Sequence, residues 1–224
     1  MRGAMQCGFA AMALACAWPA AQAAGGHHAV DDATLVEPGR CEQENWASSA
    51  RGGPWLLHAG LNCRVGPVEF GGAGEYARAD GGSATQWNLE FKWARPLAET
   101  FAVGLELQPI WFARQDPNHT DTRLTALATW NATDTLDLHF NWGRDWLHGG
   151  RTLAQGGVAA EWAPVAHWSF VAERYRDLET RFARAGVRFA GGGNWSVDAS
   201  YAYRLNGPLP SFWTVGLTFG FDRP

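Results

Sequence analysis

The stretch that most restricts the fold of this chain is its last, Ser211 to Phe221, reading Ser-Phe-Trp-Thr-Val-Gly-Leu-Thr-Phe-Gly-Phe. From Trp213 onward a large apolar residue falls on every second position: Trp213, Val215, Leu217, Phe219 and Phe221. Thr214, Gly216, Thr218 and Gly220 alternate with them. A period of two requires a β-strand with one apolar face and one small or polar face. The length matches the about 9–11 residues with which a tilted strand crosses a bilayer.

The same pattern recurs along the chain. Leu136 to Trp142 alternates strictly, and Trp87 to Trp93 and Trp195 to Tyr203 follow the same rule. Twelve strands are predicted, near 41–50, 54–64, 66–78, 84–95, 100–114, 120–131, 135–146, 151–162, 167–177, 181–190, 194–205 and 211–221. Pro109 predicts a bulge or bend within the fifth. No helix-period segment intervenes, so the connections are hairpins and not βαβ crossovers. An even strand count leaves both termini on one side, together with the turns at 65–67, 96–99, 132–134, 163–166 and 191–193. In an outer-membrane barrel that side is the periplasm.

The two faces differ in chemistry. One carries Leu57, Leu61, Val68, Phe70, Tyr76, Leu89, Phe91, Val103, Leu105, Leu124, Leu138, Phe140, Val197, Tyr201, Val215 and Leu217. The other carries Glu69, Glu75, Glu90, Lys92, Glu106, Arg123, Asp137, His139, Glu161, Glu173, Arg188, Asp198 and Arg204, with Asn88 and Asn141. Tryptophans gather at strand ends: Trp93, Trp130, Trp162, Trp168 and Trp195 beside one set of turns, Trp55, Trp87, Trp146 and Trp213 beside the other. Two such girdles are expected at the headgroup levels of a bilayer. A soluble periplasmic β-sandwich would show the same alternation but would bury its tryptophans mid-strand. The reading is an all-β, antiparallel, up-and-down transmembrane barrel of about 12 strands over residues 41–224. Its apolar side chains face outer-membrane lipid and its charged ones line the lumen.

Composition agrees. A hydrophobic content of 46% suits strands that are apolar on one face only. No stretch approaches the about 18 apolar residues of a spanning helix. A net charge of −4 argues against a nucleic-acid partner, which should carry a basic stripe. Residues 1–23 read as a signal peptide, with Arg2, the apolar run Phe9 to Trp18 and the cleavage site Ala21-Gln22-Ala23. Residues 24–40 have no period and are expected as an irregular lead-in on the periplasmic side. Export brings Cys41 and Cys63 into an oxidising compartment. They are placed symmetrically about residue 52, so a hairpin of 41–50 with 55–64 sets them directly opposite, and a disulfide is predicted.

The terminal strand resembles the closing strand of bacterial outer-membrane barrels, apart from Asp222, Arg223 and Pro224 after the aromatic. The lead-in His28-Ala29-Val30-Asp31-Asp32-Ala33, then Gly39 and a first strand with Glu42 and Glu44, resembles the opening of a group of outer-membrane transporters associated with phenol meta-cleavage pathways. The resemblance implies a Gram-negative outer membrane, assembly by the barrel-assembly machinery and passage of small polar or aromatic solutes. It implies no catalytic residues and no cofactor.

Inward charges either line a channel or pair across a filled lumen. Acidic residues gather early (Glu42, Glu44, Glu69, Glu75, Glu90, Glu106) and arginines late (Arg184, Arg188, Arg204), which predicts a field across the bore. The alternative, a barrel enzyme acting on lipids, would need a nucleophile beside a pair such as Asp137 and His139, and none is evident. His27, His28, Asp31 and Asp32 cluster in the lead-in. Only a mature terminus at Gly25 would turn His27 into a square-planar copper or nickel chelate, so no metal is assigned. Gly71-Gly72-Ala73-Gly74 lacks the lysine of a phosphate loop and is read as giving the lumen room.

Overall fold

The computed structural model describes residues 26–51, 53–79, 81–192 and 194–223. The expected signal peptide and residues 24 and 25 lie outside the described residues. Twelve strands follow in chain order: β1 Arg40–Ala50, β2 Trp55–Val65, β3 Val68–Ala79, β4 Gly82–Ala98, β5 Phe101–Phe112 and β6 His119–Thr133. The second half holds β7 Leu136–Leu147, β8 Thr152–Val165, β9 Trp168–Asp177, β10 Thr180–Ala190, β11 Trp195–Asn206 and β12 Phe212–Asp222. Each strand pairs antiparallel with its sequence neighbours, and β1 closes the barrel on β12 from Arg40↔Asp222 to Ala50↔Phe212. Closure leaves no edge, so every strand finds backbone partners on both sides, the condition for crossing hydrocarbon.

Register sorts the faces as the alternation requires. Leu57 lies opposite both Ala47 and Tyr76, and Phe70 opposite both Cys63 and Phe91, all turned outward. Leu61, Leu89, Leu105, Phe140, Val197 and Val215 are exposed on the outer surface. Trp93, Trp130, Trp162, Trp168 and Trp195 ring the rim that carries the termini; Trp87, Trp146 and Trp213 ring the opposite rim. A closed barrel with this apolar band and these girdles is built for an outer membrane. Trp46 departs from the pattern. It lies opposite His58 and Gly216, faces inward, and stacks on His58 with ring centroids 3.3 Å apart.

Pro109 does not itself bulge. The β4–β5 ladder is unpaired between Asn88↔Ile110 and Phe91↔Leu107, as a residue without N–H requires, and the register shift comes next door, between Ile110 and Trp111 where β5 pairs with β6. Of the Gly71–Gly74 run, Gly71 and Ala73 take inward positions opposite Glu90 and Asn88, while Gly72 and Gly74 face out with Leu89 and Trp87. Only half of that run can make room in the bore.

Cys41 and Cys63 are cross-strand partners and form a disulfide, with Cα atoms 4.0 Å apart. The bridge spans a separation of 22 residues. Replacing both cysteines with serine is expected to lower stability by about 2–4 kcal/mol, read as a lower urea midpoint in detergent. An unchanged midpoint would show that the β1–β2 pairing alone fixes this corner.

The lead-in corrects the sequence reading. It is irregular as expected, but it does not stay on the periplasmic side. Residues 26–36 run inside the barrel, where Val30 joins Ala159, Tyr175, Phe182 and Ala202 in a buried apolar cluster. The physical reason is polar. A segment without regular structure must find partners for its backbone N–H and C=O groups, and the inward side chains supply them.

Candidate functional site: the bore and its inserted segment

The inserted segment can be followed from its first described residue. Gly26 N donates to Glu44 Oε1 at 2.7 Å, and His27 Nε2 meets Ser200 Oγ at 2.6 Å. Arg184 donates to the His27 carbonyl. Ala29 N and Val30 N both donate to the Glu173 carboxylate, the latter at 3.0 Å. Asp31 takes Lys92 Nζ at 2.5 Å, Asp32 lies 3.8 Å from the same nitrogen, and the Asn141 amide brackets the Asp31 backbone. Ala33 N donates to Thr129 Oγ1 at 2.8 Å, and Val36 N donates to Glu69 Oε2 at 2.8 Å. Arg64 donates to the Val36 carbonyl at 3.2 Å. Nine of the twelve strands therefore hold the segment, and every contact named here is a hydrogen bond or ion pair.

The wall is shaped for it. A Cβ at Gly186 would stand 3.3 Å from the His28 ring and 2.8 Å from Ser200 Cβ. A Cβ at Gly216 would stand 3.0 Å from His27 Nδ1 and from Asp198 Oδ2. Glycine at these two points leaves the stacked His27 and His28 rings, 4.6 Å apart, room to lie against β10–β12. Burial, with His28, Arg184 and Arg188 alongside, pushes His27 down to about 2, so its imidazole is neutral at working pH.

The residues singled out from the sequence fall into two groups. Glu69, Lys92 and Glu173 grip the segment directly. His139 does so through Thr129, whose Oγ1 is 3.0 Å from His139 Nδ1, and Arg188 and Asp198 pair beneath it at 2.7 Å. The others bond within the wall or at its rims. Glu75 takes His58 at 2.9 Å and Gln86 at 2.6 Å; Glu90 takes Gln108 at 2.9 Å. Glu106 is buried opposite Lys92, and Arg123 reaches Asp145 at 2.8 Å and Asp177 at 3.3 Å. Asp137 accepts from Asn131, and Arg204 is exposed near the far rim. Glu161 is buried with neither carboxylate oxygen hydrogen-bonded.

Arg184 was counted from the sequence for its charge alone. It binds Glu173 at 3.2 Å and Tyr175 Oη at 2.7 Å, and lies over the rings of Tyr175 and Phe212. Ser200 and Thr129 were missed. Their inward parity was legible, but nothing in a hydroxyl shows that its partner is a distant backbone.

With this geometry in hand, the chain can be compared with known proteins. A family model described as "Uncharacterised conserved protein UCP029691" matches residues 11–221. The chain belongs to that family. No curated protein sequence matches it. Among solved structures, the KdgM porin in complex with disordered oligogalacturonate superposes with a TM-score of 0.65 at 10% identity, covering 81% of this chain and 99% of that one. The NanC porin gives 0.62 at 10% identity, covering 80% and 98%. The Ralstonia pickettii toluene transporter TbuX gives 0.52 at 12% identity, covering 85% and 91%. At these identities the likeness is one of fold: a small closed barrel of the outer-membrane porin and transporter type.

Proposed function

We propose that this protein is an outer-membrane channel for small polar or aromatic solutes whose bore is occupied at rest by its own N-terminal segment. The observation that carries this reading is the character of the segment's attachment. A filler meant to stay would be packed by apolar contacts. This one is held chiefly by hydrogen bonds and ion pairs, groups that water can replace as the segment withdraws. The fold shared with porins and with a toluene transporter supports passage as the activity. The resemblance to transporters associated with phenol meta-cleavage makes phenols the first solutes to try.

The electrostatics refine the solute class. Arg184 and Arg188 are matched by Glu173 and Asp198, and Arg123 by Asp145 and Asp177. The early acidic wall of Glu42, Glu44, Glu69, Glu90 and Glu106 has Lys92 as its cationic neighbour, and that lysine is shared with Asp31 and Asp32. With the segment withdrawn and the wall hydrated, the bore is acidic on balance, which favours cations and neutral phenols over carboxylate anions. In planar bilayers under a KCl gradient, the reversal potential is expected on the cation-selective side. Anion selectivity would remove the acidic bore from the account.

Catalysis finds no support in the candidate pair. Asp137 bonds Asn131 and His139 bonds Thr129, so the two are not joined as base and orienting carboxylate. Lipid, the barrel-assembly machinery and a Gram-negative cell complete the proposed setting.

A further inference from the structure

We propose that His27, His28 and Asp198 form a binding site for one divalent transition-metal ion, of the zinc class, which clasps the inserted segment to β11. One ligand atom from each of the three residues lies within 4.8 Å of the others. The side chains are fully enclosed, with exposures of 1%, 1% and 0%. Within this enclosure His27 Nδ1, both ring nitrogens of His28 and Asp198 Oδ2 have no hydrogen-bond partner. Buried polar atoms are nearly always paired, and four orphans facing one another point to a missing partner.

The surroundings leave His27 Nδ1, His28 Nε2 and Asp198 Oδ2 for an ion, while His28 Nδ1 lies 3.6 Å from Glu173 Oε1. His27 Nε2 is engaged by Ser200 Oγ at 2.6 Å, which fixes the ring and leaves Nδ1 bare. A ligating imidazole is normally oriented in this way through its other nitrogen. Asp198 spends Oδ1 on Arg188, at 2.9 Å to Nε and 2.7 Å to Nη2, and keeps Oδ2 open. A Cβ at Gly216 would stand 3.0 Å from both Asp198 Oδ2 and His27 Nδ1, so glycine there keeps the β12 wall clear of these two atoms. Two tetrahedral ligand atoms about 2.1 Å from one ion stand about 3.4 Å apart. His27 Nδ1 and His28 Nε2 lie 3.9 and 4.0 Å from the Asp198 carboxylate, so the set has to close by about half an ångström or more to reach that value.

Charge favours the same reading. Arg184 and Arg188 bring two positive charges to this corner, while Glu173 and Asp198 bring carboxylates, as does Glu161 near Arg188. Two imidazoles and a carboxylate, with no thiolate, suit zinc, copper or nickel. Calcium and magnesium prefer all-oxygen shells. Two ligands ride on the inserted segment and the third on the wall, so a bound ion ties the one to the other.

The test is zinc titration of the untagged, refolded protein in detergent, read by competition with a chromogenic chelator. One zinc ion per chain is expected. Affinity should fall at least tenfold in His28→Gln, whose nearest polar partner is Glu173 at 3.6 Å, and also in Asp198→Asn. Circular dichroism on each variant separates a lost ligand from a lost fold, and His28→Gln serves if Asp198→Asn does not refold. Absence of stoichiometric zinc binding in the wild type would overturn the site. So would binding that both variants retain, since that would place the ion at a free amino terminus.

Discussion

Deleting residues 26–38 is expected to raise single-channel conductance several-fold without dismantling the barrel. The segment passes from Glu44 on β1 across to Glu173 on β9 and back to Glu69 on β3, so it crosses the bore instead of lining one side. The barrel itself is closed by strand pairing in which the segment takes no part. Its removal exposes Glu69, Lys92, Thr129 and Glu173 to water, and charged or hydroxyl groups rehydrate readily. Conductance in planar bilayers, together with strand content by circular dichroism, checks both halves of the expectation. Unchanged conductance with an intact barrel would mean that the segment does not obstruct flow. Glu173→Ala, which removes the acceptor for Ala29 N and Val30 N, is the milder variant. It should give more frequent openings at unchanged full amplitude, because it loosens the segment without shortening it.

The wall of this protein was legible in its sequence, and the contents of the wall were not. Trp213 to Phe221 sets a period of two, and a strand with an apolar face has few ways to be satisfied. Repeating the pattern twelve times, with tryptophans at both ends, leaves a barrel in lipid. Cys41 and Cys63 could be paired because a hairpin is symmetric about its turn. The lead-in offers no such symmetry. It binds through its own backbone N–H groups, which every residue but proline possesses, so no residue type announces the contact. Inward charges alternate in the same way whether they face water or a strand of chain. The one hint was compositional: Asp31 and Asp32 give an aperiodic stretch a match for the lone lysine, Lys92, on the inward face. Trp46 was equally opaque, since a tryptophan in a barrel of this kind is expected at the interface and this one stacks on a lumenal histidine.

Lys92 joins the inserted segment to the acidic wall. It is buried, its ammonium sits 2.5 Å from Asp31 and 3.8 Å from Asp32, and its strand neighbours in register are Glu69 and Glu106. Four carboxylates thus share one cation. Lys92→Met keeps most of the side-chain volume and removes the charge, leaving the acids to repel one another in an enclosed place. Breaking a buried ion pair from one side costs about 3–5 kcal/mol, and a loss of that order is expected in urea unfolding, with Lys92→Arg much milder. The decisive comparison is the same substitution in the chain lacking residues 26–38. There Asp31 and Asp32 are gone and water reaches Glu69 and Glu106, so the cost should shrink by about 1–3 kcal/mol, a coupling of the size that residues in direct contact show. Equal costs in the two backgrounds would mean that the lysine serves the wall alone, and the grip on the segment would then have to come from Glu173 and Arg184.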